Sequence, residues 1–221
     1  DLSRANGLLE MSTFAAIILG TAAGGELFQR WNAEPMLMGV VLVAIAIAGT
    51  LASLAIPPVA AAAPGQRAAL NPFSEIGLGM ARLTSDRTLL MTVVGISYFW
   101  LLGALLQQTV IPWGQESFTV GAAAAARLYT FLAIGIGVGS LAAGRLSGDK
   151  IELGLVPLGA VGLGVFTLLL VPMTASYGMA AAVLVALGFS GGLFVVPLNA
   201  LLQQRPDDEE KGRVLATNNV L

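Results

Sequence analysis

The 221 residues are 56% apolar and only 11% charged, against about 25% charged in an average soluble domain, and mean hydropathy is +0.82. This composition excludes an ordinary soluble fold. The apolar runs are continuous rather than alternating, which favours membrane helices of about 20 residues over a transmembrane barrel. A net charge of −2 with no basic tract argues against nucleic acid as a partner, and zero Cys and zero His exclude disulfides and argue against a zinc or haem cofactor.

The chain begins DLSRANG, without an initiator Met or a basic region leading to a cleavage site, so no signal peptide is expected. It ends at NNVL just as an apolar run begins, and therefore reads as a piece of a longer protein. Asp1 to Asn6 is polar, with Ser3 placed to cap a helix. Gly7 to Phe28 follows as a first span, interrupted by Glu10 and Glu26, and Met36 to Ile56 as a second, closed by Pro57 and Pro58.

Val59 to Arg87 differs in kind, being Ala, Pro and Gly-rich up to Leu70 and then carrying the capping pair Asn71-Pro72. Phe73, Ile76, Met80 and Leu83 recur at helical spacing, which predicts an amphipathic helix in the membrane interface rather than a span, an ordinary solvated linker being the alternative. Thr88 to Trp113, Gly121 to Gly144, Leu153 to Pro172 and Tyr177 to Leu202 are the third to sixth spans. Gln203 to Gly212 reads as a charged loop, and Arg213 to Leu221 as the start of a seventh span.

Loop cations orient this map, because cytoplasmic loops carry the excess of Lys and Arg. With the turn after Gly144 inside, Arg4, Arg67, Arg82, Arg87, Arg145, Lys150, Arg205, Lys211 and Arg213 all face the cytoplasm, nine of the eleven cations. Arg30 and Arg127 alone lie outside. The loops at 58–87, 145–152 and 203–213 are accordingly expected to be cytoplasmic.

The stretches RANGLLEMSTFAAIILGTAAGG, YFWLLGALLQQ, GRLSGDKIELGLVPLGA and EEKGRVLATNN reach from one end of the chain to the other. They resemble bacterial lysophospholipid transporters of the major facilitator superfamily, including those fused to an acyltransferase. One departure concerns the wider superfamily's turn motif, which usually has an acidic residue directly before the Arg. Here that position is Gly144, and Asp149 lies further on.

The resemblance implies an all-α, polytopic membrane protein, a fragment of a twelve-helix fold comprising helices 5 to 10 and the start of 11. Residues 1–57 would close the first half, 58–87 would be the central linker, and 88–221 would be the incomplete second half. It further implies alternating-access transport of lysophospholipid across the bacterial inner membrane, with lipid substrate and membrane lipids as partners. Two other readings stay open: a proton-driven exporter of amphipathic compounds, and the membrane part of a transporter fused to or associated with an acyltransferase. Nothing in this piece supports enzymatic chemistry, since the nucleophile elbow, the HExxH signature and the Walker loop are all missing, and a His-Asp acyltransferase site needs a His.

Small residues four apart let helix backbones approach. Gly20 with Gly24, Gly135 with Gly139 and Ala143, and Gly188 with Gly192 form such ridges. In the family architecture the first two would meet between the halves, the alternative being packing within one half. Trp100, Gly103 and Gln107 share a helical face with Gln108 beside it, a surface suited to a lipid headgroup and glycerol; helix-helix hydrogen bonding is the alternative.

Glu10 lies about one turn inside the first span. Ionisable groups at such depth are functional candidates, and pairing with Arg145, Lys150 or Arg213 would make a latch between halves, a snorkelling carboxylate being the alternative. Asp149 belongs to the same turn. Arg127 enters its span from the outer side, as a phosphate contact or an interfacial anchor. Asn199, after Pro197, is a further cavity candidate.

Overall fold

A computed structural model describes residues 2–31, 34–58, 72–148, 150–172 and 176–221. Among these residues the structure is helical, with no strand: α1 (Leu2–Trp31), α2 (Pro35–Ser53), α3 (Pro72–Ser85), α4 (Arg87–Phe118), α5 (Ala122–Ser147), α6 (Leu155–Leu170), α7 (Tyr177–Gln204) and α8 (Asp208–Asn218). The chain forms two units, residues 1–15 with 67–221, and residues 16–66. The linker stretch 59–71, including the expected cap Asn71, lies outside the described residues.

The smaller unit holds the later part of α1 and all of α2. Pro35 opens α2 at its first turn, where a missing N–H costs nothing. α2 buries no residue, and Leu42, Val43, Ile45, Ile47 and Leu51 are all exposed, a surface apolar all round as lipid requires.

The larger unit is centred on α7, which packs against α4, α5 and α6. Its stretch from Ser190 to Leu198 is buried throughout. The contact with α5 is backbone-close because glycines face each other: a Cβ on Gly139 would lie 2.2 Å from Phe189 O, and one on Gly188 2.1 Å from Leu132 O. One end of this unit is sealed by Trp113, Phe118 and Tyr177, whose rings meet edge to face at 5.4 and 5.7 Å. There the Tyr177 hydroxyl donates to Ala124 O at 2.8 Å. Gly148, at φ +53°, turns the chain after α5, a conformation that glycine adopts without strain.

Several expectations are corrected. Ser3 is not a cap but a buried residue within α1, which starts before it. The charged loop after Leu202 is largely helix, because Asp208, Glu209 and Glu210 occupy the first turn of α8, where acidic side chains complement the helix dipole. The helix expected over Phe73 to Leu83 is present as α3, which packs on α8 and α4; a Cβ on Gly79 would overlap the Thr217 hydroxyl.

Of the six spans expected, four helices among the described residues are long and apolar enough to cross a membrane by themselves: α2, α4, α5 and α7. α6 has 16 residues, about 24 Å at 1.5 Å each. α1 has the length but carries polar residues on the side it turns toward α5 and α7.

Candidate functional site

The first turns of α1 present Ser3, Asn6, Gly7 and Glu10 on one helical face, at the three- and four-residue spacing that brings side chains into register. α7 answers with Asn199 and Gln203, also four apart. Asn199 Nδ2 donates to Glu10 Oε1 at 2.9 Å, and Gln203 Nε2 donates to Asn6 Oδ1 at 2.9 Å. Asn6 Nδ2 in turn donates to Leu2 O at 2.9 Å, so the Asn6 amide is held at both ends. Two rungs of a polar ladder thus join α1 to α7.

Beside the ladder α1 crosses α5. A Cβ on Gly7 would sit 2.6 Å from Ser140 O and 3.3 Å from Gly144 Cα, and one on Gly144 would sit 3.1 Å from Ser3 O. Backbone meets backbone at both positions, so Gly7 admits no side chain without a shift, and a Cβ at Gly144 needs its neighbours to give by a few tenths of an ångström. The Ser3 and Ser140 hydroxyls and Glu10 Oε2 are buried at this crossing without a hydrogen-bond partner among the described residues.

Glu10 therefore meets an amide, not the cation expected for it. Arg213 is taken by Glu75, with Nε donating to Oε2 at 2.8 Å, while Arg145 and Lys150 are exposed and make no ion pair among the described residues. Asp149 lies outside the described residues. The Gly135 and Gly139 ridge faces α7, whereas a Cβ on Gly20 or Gly24 would meet nothing within 4 Å among the described residues. Gly7 and Gly144 make the crossing instead.

Asn199, expected to face a cavity, is half-buried against Glu10. Trp100, Gln107 and Gln108 are exposed, and a Cβ on Gly103 would meet nothing within 4 Å, so within the larger unit no described residue covers this face of α4. Trp100 leans edge to face on the buried Phe99 at 5.5 Å. Arg127 is exposed near the start of α5.

A charged cluster adjoins the ladder through the end of α7. Arg205 Nε donates to Asp86 Oδ2 at 2.9 Å, and Asp86 Oδ1 caps α4 by accepting from Thr88 N at 2.9 Å. The Arg205 hydrogen bond is the main reason that the Asp86 carboxyl is held below the usual carboxylate range; the backbone N–H groups of Leu89 and Thr88 add to it, and desolvation opposes it. Arg82 pairs with Glu210, and with Arg213 and Glu75 this makes two ion pairs between α3 and α8.

The Major Facilitator Superfamily profile matches residues 1–221, the whole chain. The chain belongs to the Major Facilitator Superfamily. Its similarity extends to the lysophospholipid transporter LplT of Enterobacter sp. (strain 638), 35% identical over 209 residues that make up 92% of this chain and 51% of that protein. LplT of Citrobacter koseri is 37% identical over 210 residues, 92% of this chain and 50% of the relative. LplT of Yersinia pestis (strain Pestoides F) is 37% identical over 209 residues, 93% of this chain and 50% of the relative. The chain thus spans about half the length of these relatives. No solved structure matches it. As a superfamily member built of apolar helices, it is a multi-pass membrane protein.

Proposed function

We propose that this chain is part of a transporter that moves lysophospholipid across the bacterial inner membrane by alternating access. The observation that carries the substrate is the likeness, along nine tenths of this chain, to proteins named lysophospholipid transporter. In this reading α1 and α2 are helices 5 and 6 of a twelve-helix fold, residues 58–87 are the linker, α4 to α7 are helices 7 to 10, and α8 leads into helix 11. No enzymatic role is assigned to this piece, and an acyltransferase fused to or associated with it belongs to the same proposal.

The ladder supports the mechanism. Asn6 and Glu10 would belong to one half and Gln203 and Asn199 to the other, so opening this end requires both rungs to break. Buried hydrogen bonds are worth about 0.5–1.5 kcal/mol net, and about 1.5–3 kcal/mol where one partner is charged. Two rungs of that size favour a closed end without locking it. Lysolipid would lie against Trp100, Gly103, Gln107 and Gln108, with Arg127 near its phosphate. Gly20, Gly24, Gly135, Gly139, Arg145, Asp149, Lys150 and Arg213 would serve packing and gating around the cavity.

The cations of the loops at 58–87, 145–152 and 203–213 support a cytoplasmic position for all three. Cysteines at Lys150 and Ser176 test this, Lys150 being preferable to the buried Ser147. An impermeant thiol reagent added outside should label the Ser176 position alone, and labelling of both from one side would refute the orientation.

A second reading, proton-driven export of amphipathic compounds, is favoured by Glu10 Oε2, buried and without a hydrogen-bond partner among the described residues. Uptake of lysophosphatidylethanolamine by spheroplasts carrying the intact protein separates the two. Facilitated uptake that survives a protonophore supports the first reading, whereas protonophore-sensitive efflux of amphipathic dyes without lysolipid uptake supports the second.

A further inference from the structure

Arg82, Arg205, Lys211 and Arg213 each meet a carboxylate. Arg4 and Arg145 meet none among the described residues, yet both line one cavity between α1 and α5, together with Gly7, Leu8, Leu141 and Gly144. The cavity holds about 90 Å³, several times what a single water needs. Two cationic residues lining one small space repel each other, and an anion bound there would relieve the repulsion. The Gly7 and Gly144 contact adjoins this space, so the backbones there come as close as they can without side chains.

We propose that this cavity seats the phosphate of an anionic phospholipid, clamped between Arg4 on α1 and Arg145 on α5. Guanidinium forks match phosphate oxygens two at a time, which a lysine ammonium does not. Leu8 and Leu141 give the cavity an apolar flank for the glycerol and the first part of an acyl chain, a feature that inorganic phosphate does not use. The lipid would bridge the two helices beside the polar ladder and hold the crossing closed. The site does not depend on which substrate the protein carries.

The test uses the intact protein purified in neutral detergent and titrated with dioctanoyl-phosphatidylglycerol, dioctanoyl-phosphatidylcholine or inorganic phosphate, with thermal melting and native mass spectrometry as readouts. Phosphatidylglycerol should be retained and should raise the melting temperature more than phosphatidylcholine. Arg4→Gln or Arg145→Gln should each weaken it about tenfold or more, the loss of a charge-assisted hydrogen bond, and the double variant should lose it. The doubly conservative Arg4→Lys, Arg145→Lys protein keeps the charge and guards against a folding defect; it should bind at intermediate strength. Arg87→Gln, which removes a cation lining a different groove, should bind as the parent does. Unchanged binding by the double Gln variant, equal loss in Arg87→Gln, or equal stabilisation by millimolar phosphate alone would overturn the proposal.

Discussion

Replacing Gly7 by alanine probes the α1 and α5 crossing most sharply. The new Cβ would lie 2.6 Å from Ser140 O and 3.3 Å from Gly144 Cα, where ordinary contact starts at 3.4 Å, so the helices must part by about 0.8 Å. Backbone atoms cannot swing aside as a side-chain tip would. Overpacking of this kind costs about 1–3 kcal/mol, which moves an equilibrium by about 5- to 150-fold. The same displacement acts on the ladder rungs, both at 2.9 Å. Distances between spin labels at Leu9 and Leu146, exposed by 62% and 65%, report the crossing directly. Gly7→Ala should move population toward a longer distance. Gly144→Ala should do so more weakly, its Cβ lying 3.1 Å from Ser3 O and 3.2 Å from Arg4 Cα. An unchanged distribution in Gly7→Ala would refute the close crossing.

Within the larger unit, Gly139→Ala would set a Cβ 2.2 Å from Phe189 O, so thermal unfolding should show a loss of about 3 kcal/mol. Gly103→Ala, with nothing within 4 Å, should melt as the parent does. Glu10→Ala leaves the Asn199 amide without its acceptor and should cost about 1–3 kcal/mol, while Glu10→Gln keeps an acceptor oxygen and should cost less by the same melting assay. Asp86→Asn retains a helix cap but loses the ion pair to Arg205. Because the Asp86 carboxyl is depressed in the folded state, its stabilisation is full above the unfolded value and is lost as pH falls through the folded one. The melting-temperature gap between parent and Asp86→Asn should therefore be flat from neutral pH down to about 5 and should narrow below about pH 4. A gap independent of pH would contradict the pairing.

Continuous apolar runs sufficed to locate α2, α4, α5 and α7, since length and hydropathy are properties of the segment alone. α8 was missed because the Asp208, Glu209, Glu210 and Lys211 sequence looks like a solvated loop, although acidic residues also suit the start of a helix. Spacing of Gly135 and Gly139 announces a close approach but not with what, and only the fold shows that α7 is the neighbour. Glu10 was recognisable as an ionisable group at membrane depth. Its partner was not, because Asn199 is 189 residues away and an amide carries no charge to suggest it. The Ser3, Gly7 and Ser140, Gly144 pairs were in view as four-residue spacings of small residues, hidden by the assumption that the first residues precede the helix.

Lysolipid movement by the intact protein reconstituted in proteoliposomes tests the central claim most directly. Fluorescent lysophosphatidylethanolamine added outside should become protected from an impermeant quencher faster than in protein-free vesicles, and Gly103→Leu or Gln107→Leu should slow that protection without reducing the amount of protein incorporated. Protection at the protein-free rate, with correctly folded protein in the membrane, would contradict the assignment of lysophospholipid as substrate.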